Sequence, residues 1–296
     1  MINQLNREYG IDGVLRFELG QGAMPQACIT TEFAKAVVSL HGAQVLSYVP
    51  SGQQDILWVS HKSHFEEQTA IRGGIPICWP WFNAHPTDAD KPSHGFARLM
   101  DWSVVSSELT DEGDVSICFA LESSDESMRL WPYRFQLTCW VRVGRALRVE
   151  LNTSNLSSDS MRISAALHSY FAISDPAKVR LYGLENTRFI DALSTKEFVE
   201  SAPPVIDREI DRVYLEHTDD CLIADAGLKR TICVSKSNSH SVVVWNPWID
   251  KSRRMRDFGN DEYKNMICVE TVKIYDDIME IEPGTHQSFS TTIRLV

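Results

Sequence analysis

Two residues in this chain sit where packing alone does not call for them and where proton-transfer chemistry would. His168 interrupts the small, apolar run Ala165-Ala166-Leu167-His168-Ser169-Tyr170-Phe171. A histidine there is either a core residue with its polar atoms satisfied or, if it fronts a cleft, a proton donor working near neutral pH. Glu270 ends the run Met266-Ile267-Cys268-Val269-Glu270. A carboxylate at the end of a buried strand is costly unless compensated. It is either a salt-bridged structural glutamate or a general base whose pKa is raised by poor solvation. Residue types alone leave both pairs of readings open.

Two loops supply candidate ligands for a polar substrate. In Ile71-Arg72-Gly73-Gly74-Ile75-Pro76-Ile77-Cys78-Trp79-Pro80-Trp81-Phe82, adjacent glycines and two prolines define the backbone shape. Arg72 offers planar, multidentate donors, and Trp79, Trp81 and Phe82 suit a wall for a sugar ring. The second loop, Pro92-Ser93-His94-Gly95-Phe96-Ala97-Arg98, brings His94 and Arg98. Arg72 and Arg98 together would hold a dianionic phosphate better than either alone. Alone, each loop also reads as a rigid connection or a surface turn. Asp211 reads as a strand-edge charge paired with Arg212, and Lys251 to Arg256 as a solvated face. No HExxH or paired-histidine spacing points to a metal, and no GK[ST] follows the Gly-Gly pair to make a nucleotide loop.

These groups must be positioned by strands. Val115–Leu121, Phe135–Val143 and Ala146–Asn152 are β-rich, the last two flanking a Gly144-Arg145 turn. Further runs are Arg162–Ile173, Lys178–Leu181, Cys221–Asp225, Thr231–Ser235, Ser241–Trp245, Met266–Glu270 and Gln287–Val296. Short strands at this spacing predict an all-β sandwich or barrel. Helical periodicity is nearly absent; a turn or two around Lys251 to Phe258 is the best candidate. With no linker, repeat or low-complexity block, residues 1–296 read as one domain.

A formal net charge of −11 argues against nucleic acid and anionic membranes as partners. The seven cysteines form no CxxC pair and mostly lie in apolar runs, which reads as reduced, buried thiols. With no signal-like or membrane-spanning stretch, the cytoplasm is the expected compartment.

Taken in order, the segments resemble the aldose 1-epimerase (mutarotase) superfamily, and within it the glucose-6-phosphate 1-epimerase branch. The likeness runs from about Ala27 to the C-terminus. It rests on Leu40-His41-Gly42-Ala43-Gln44-Val45, Asp55-Ile56-Leu57-Trp58, the two loops, Leu167-His168-Ser169-Tyr170-Phe171, Asp211-Arg212-Val213-Tyr214, Val244-Trp245-Asn246-Pro247-Trp248 and Cys268-Val269-Glu270. Two positions depart from it: Ser93 stands where some members have glutamine, and Thr271 where proline often follows the glutamate.

The resemblance implies a galactose-mutarotase-like β-super-sandwich of mostly antiparallel sheets with a concave sugar cleft. It implies His168 as the acid that protonates the ring oxygen and Glu270 as the base at the anomeric hydroxyl. Arg72, His94, Arg98 and Asp211 would bind substrate. The implied reaction interconverts the α and β anomers of a hexose 6-phosphate by ring opening and reclosure, and calls for no cofactor or metal. The expected partner is a small sugar phosphate, and nothing demands more than a monomer. Competing readings are a mutarotase of free aldoses and a non-catalytic sugar-binding sandwich. A glycoside hydrolase fits less well, since it usually needs two carboxylates flanking the bond.

Overall fold

Residues on alternate sides of the strands meet different surroundings, and that alternation sets the architecture. In Leu147–Asn155 every second residue is buried, as expected when one sheet face meets the core and the other meets solvent. Met266–Lys273 and Ser241–Asn246 are instead buried on both faces. They must therefore run through the middle of a sheet covered on both sides. The computed structural model, which describes all 296 residues, has that arrangement.

Two eight-stranded sheets, antiparallel throughout, face each other. The back sheet runs in the order Val179–Tyr182, Cys221–Asp225, Arg230–Ser237, His286–Leu295, Leu147–Asn155, Phe135–Val143, Val115–Glu122, Ser103–Leu109. The front sheet runs Lys196–Val199, Arg188–Asp191, Ile210–Tyr214, Ser241–Asn246, Met266–Lys273, Ala165–Leu167, Ile77–Cys78, with Tyr170–Ala172 also paired to Met266–Lys273. A four-stranded sheet (Leu15–Leu19, Pro25–Thr30, Ala34–Ser39, Gln44–Pro50) precedes them, and Met161–Ile163 pairs with Met279–Ile281.

The main core fills the space between the sheets. It takes Leu167, Phe171, Val244, Ile267 and Val269 from the front, and Leu137, Leu151, Ile232, Phe289 and Ile293 from the back. A second, smaller apolar cluster lies on the outer face of the front sheet: Ala166, Tyr170, Val213, Val243, Trp245, Met266, Cys268 and Val272, covered by Trp58, Phe82, Phe258 and Tyr263. A face that would otherwise meet water is thus roofed by loops, and the roof is where a cleft forms.

The expected all-β sandwich is therefore present. The run expected over Arg162–Ile173 is three short strands rather than one, because Met161–Ile163 leaves the front sheet to pair with Met279–Ile281. The helix near Lys251 starts earlier, spanning Trp248–Arg254. Two further helices were not expected. Ile2–Tyr9 lays Ile2, Leu5 and Tyr9 against the core, a helical spacing, and Asn6 ties it to the backbone N–H and C=O of Phe17 at 2.8 Å each. Asp125–Leu130 starts with a reciprocal Ser124–Ser127 cap. Six of the seven cysteines are buried, and no helix is long and apolar enough to cross a membrane.

Candidate active site

Strand register brings His168 and Glu270 together. Leu167 pairs with Thr271 and Tyr170 with Cys268, so His168 lies directly across from Glu270. Alternation along each strand then fixes the face. Leu167 and Val269 point into the main core, and the residues after them point out to the cleft. His168 Nδ1 stands 3.4 Å from Glu270 Oε1, and both side chains are almost fully buried. The pair is not aligned as a hydrogen bond, and His168 Nδ1 and Glu270 Oε2 are buried with no partner. A native fold rarely leaves such atoms unpaired without a use for them. The His168 ring stacks on Tyr170 with centroids 4.7 Å apart and planes 6° apart, which holds its orientation.

The next row across the sheet is Asp211, Trp245, Cys268, Tyr170. Asp211 therefore shares the cleft face with Glu270, two strands away. A cavity of about 270 Å³ opens above them, lined by Arg72, Phe82, Asn83, His94, His168, Asp211, Val243, Trp245, Lys251, Met255 and Glu270.

The loops reach this cavity because their glycines let backbones touch. Gly73, at φ 122°, lies so close to Trp58 and Val59 that a Cβ would overlap their backbone. That contact sets Arg72 beside the strand carrying His168: Gly74 accepts from Tyr170 N, and Pro76 accepts from His168 N. Gly95, at φ 70°, presses on the Trp79 carbonyl in the same way and carries His94 inward.

Each wall group has a defined partner. Arg72 Nε and Nη2 meet Asp257 Oδ2 at 3.0 and 2.9 Å, and Nη1 donates to the Tyr170 hydroxyl at 3.0 Å. Lys251 Nζ is 3.0 Å from Glu209 and 3.9 Å from Asp211, and it sits over the Trp245 ring. The Asn83 N–H donates to His94 Nδ1 at 3.2 Å, so the His94 proton is on Nε2. Arg98 is different. Its Nη2 donates to the Ser93 carbonyl at 2.9 Å, its Nε is buried without a partner, and no carboxylate pairs with it.

Burial dominates the electrostatics. It pulls His94 down to about 3, helped by the nearby cations Arg98, Arg72 and Lys251. His168 is held well below its ordinary value by burial and then by His94, Arg72 and Arg98. Glu270 is pushed well above the carboxylate range by burial and the Asp211 charge. Asp211 rises to about 6, because burial outweighs the attraction of Lys251. Burial thus disfavours the charged form of both His168 and Glu270.

Five of the six site residues expected from sequence line one cavity: Arg72, His94, His168, Asp211 and Glu270. Arg98 stands next to it without lining it. The aromatic wall is only partly as expected. Phe82 lines the cavity, but Trp79 is fully buried against Phe96, Trp131 and Phe135, and Trp81 packs on Phe96 and His85. Trp245 takes the place in the wall expected of them. Asp211 does not pair with Arg212, which leaves through the opposite face to Glu200 at 2.7 Å and stacks over Phe189. Lys251, read from sequence as part of a solvated face, lines the cavity, and Asp257, just past that run, pairs with Arg72. The helix after Asn246-Pro247 turns that charged run back over the sheet, and nothing local announces it.

An all-β cleft with a cationic wall and a juxtaposed histidine and glutamate has the groups that acid–base chemistry on a small polar ligand requires. A profile of the aldose 1-epimerase family matches residues 25–294, and the chain belongs to that family. A relative from Escherichia coli K12, provisionally named as a glucose-6-phosphate 1-epimerase, is 39% identical over 240 residues, covering 80% of this chain and 79% of its own. The crystal structure of a provisionally named mutarotase from Salmonella typhimurium superposes with a TM-score of 0.90 at 33% identity, covering 100% of this chain and 99% of that one. A galactose-mutarotase-related enzyme from Lactobacillus acidophilus shares the fold, with a TM-score of 0.73 at 15% identity over 92% of this chain and 97% of its own. The fold is thus the galactose-mutarotase-like sandwich.

Proposed function

We propose that this chain interconverts the α and β anomers of a hexose 6-phosphate, glucose 6-phosphate foremost. The observation that carries this reading is the His168–Glu270 pair, 3.4 Å apart on a cavity floor. Glu270 takes the proton from O1 as the ring opens, and His168 delivers one to the ring oxygen. This leaves a neutral imidazole and a protonated carboxyl, the uncharged forms that burial favours. Rotation about C1–C2 and the reverse transfers close the ring on the other face. The two proton transfers together conserve the proton count of the pair, so the ring opening balances without a cofactor. Arg72 and Lys251 bind from the wall, His94 Nε2 donates, and Asp211 accepts from sugar hydroxyls. Arg98, a half-buried cation whose Nε is buried without a partner and which pairs with no carboxylate, favours an anionic substrate.

The free-aldose reading has one observation in its favour: Arg72 and Lys251 are already paired with Asp257 and Glu209. NMR magnetisation exchange between anomers separates the two. Faster exchange for glucose 6-phosphate than for glucose, against a protein-free control, supports the phosphate reading. Enhancement for glucose alone would move the substrate to a free aldose, and none for either sugar would overturn the catalytic reading. The site is complete within one chain, consistent with a working monomer, and unpaired buried thiols fit a reducing compartment such as the cytoplasm.

A further inference from the structure

Buried beside the His168–Glu270 pair, without lining the cavity, is a third group that the proton transfers do not use. Cys268 lies two residues before Glu270 on the same strand and therefore on the same face, diagonal to His168 across the pairing. One ligating atom from each of His168, Cys268 and Glu270 falls within 4.8 Å of the others, and all three residues are buried. His168 Nδ1 and Glu270 Oε2 have no partner. A nitrogen, a sulfur and a carboxylate oxygen form the mixed donor set that Zn²⁺ favours, with a fourth position left open. Two ligands each about 2.1 Å from zinc and 3.4 Å apart subtend about 108° at the metal, close to tetrahedral. We propose that His168, Cys268 and Glu270 form an inhibitory site for Zn²⁺, which silences the enzyme by occupying the two proton-transfer groups.

Only the inhibition half rests on the anomerase reading; metal binding is measured independently of it. The full-length protein is titrated with Co²⁺, whose thiolate charge-transfer absorption reports a cobalt–sulfur bond. The expected result is one Co²⁺ per chain with that band, displaced by Zn²⁺. Zn²⁺ should also stop anomer exchange, with EDTA restoring it. Cys268→Ala should retain exchange, lose the band and need at least about tenfold more Zn²⁺ for inhibition. Cys78→Ala, which removes a neighbouring buried thiol, should behave as the parent does. If the alanine variant does not fold, Cys268→Ser is used and should likewise lose the band. No sulfur band at millimolar Co²⁺, or equal zinc sensitivity with and without Cys268, would overturn the proposal. If the parent catalyses no exchange, the function proposed above fails, while the cobalt band still decides the metal site.

Discussion

At the scale of single residues, the site depends on burial more than on contacts. His168→Asn and Glu270→Gln are each expected to lower the exchange rate by about 10²–10⁴-fold with the fold retained, measured by NMR exchange and circular dichroism. Near-parent exchange in both would remove these residues from the chemistry. Burial also predicts opposite effects on stability. Glu270, with its pKa raised in the folded chain, contributes stability that is full below about pH 4.5 and lost as pH rises through the folded value. Glu270→Gln should therefore gain stability over the parent as pH rises. His94, lowered to about 3, contributes stability present above pH 6.5 and lost as pH falls toward 3. His94→Gln should gain on the parent as pH falls. Urea midpoints across pH 4–9 would check both slopes, and equal slopes in parent and variants would contradict the burial account.

At the scale of elements, two loops are held by backbone contact and one charged segment by an ion pair. Gly95→Ala puts a methyl against the Trp79 carbonyl at a positive φ and should cost about 1–3 kcal/mol. A thermal shift near zero would mean the loop gives way easily. Asp257→Asn frees Arg72 from its carboxylate while leaving the guanidinium in place. If Arg72 holds the substrate, KM should change by several-fold while kcat stays close to the parent. A fall in kcat at unchanged KM would instead assign Arg72 to the chemical step.

At the scale of the whole molecule, the main core draws on both eight-stranded sheets and also takes Phe17, Ile29, Val38 and Val45 from the N-terminal sheet. We propose that residues 1–296 unfold as one unit. The expected outcome is a single calorimetric transition whose midpoint rises when glucose 6-phosphate is added. Two resolved transitions would divide the chain.

Much of this was legible in the residues, for a physical reason. Strand formation follows local patterning, so the alternating Phe135–Val143 and the continuous apolar run Met266–Glu270 can be read from composition and punctuation. His168 and Glu270 stood out because each puts a polar group in or at the end of an apolar run. What stayed hidden were relations between distant segments. Trp79 and Phe82 sit three residues apart in one loop, yet one fills the core and the other lines the cleft. Lys251 and Asp257 look like any exposed charges until the Trp248–Arg254 helix folds them over Trp245 and Arg72. The sequence by itself determined many of the strands and which two residues were out of place. Only the tertiary structure decided that those two meet, because register and loop closure are set by contacts many residues apart, where burial raises one pKa and lowers the other.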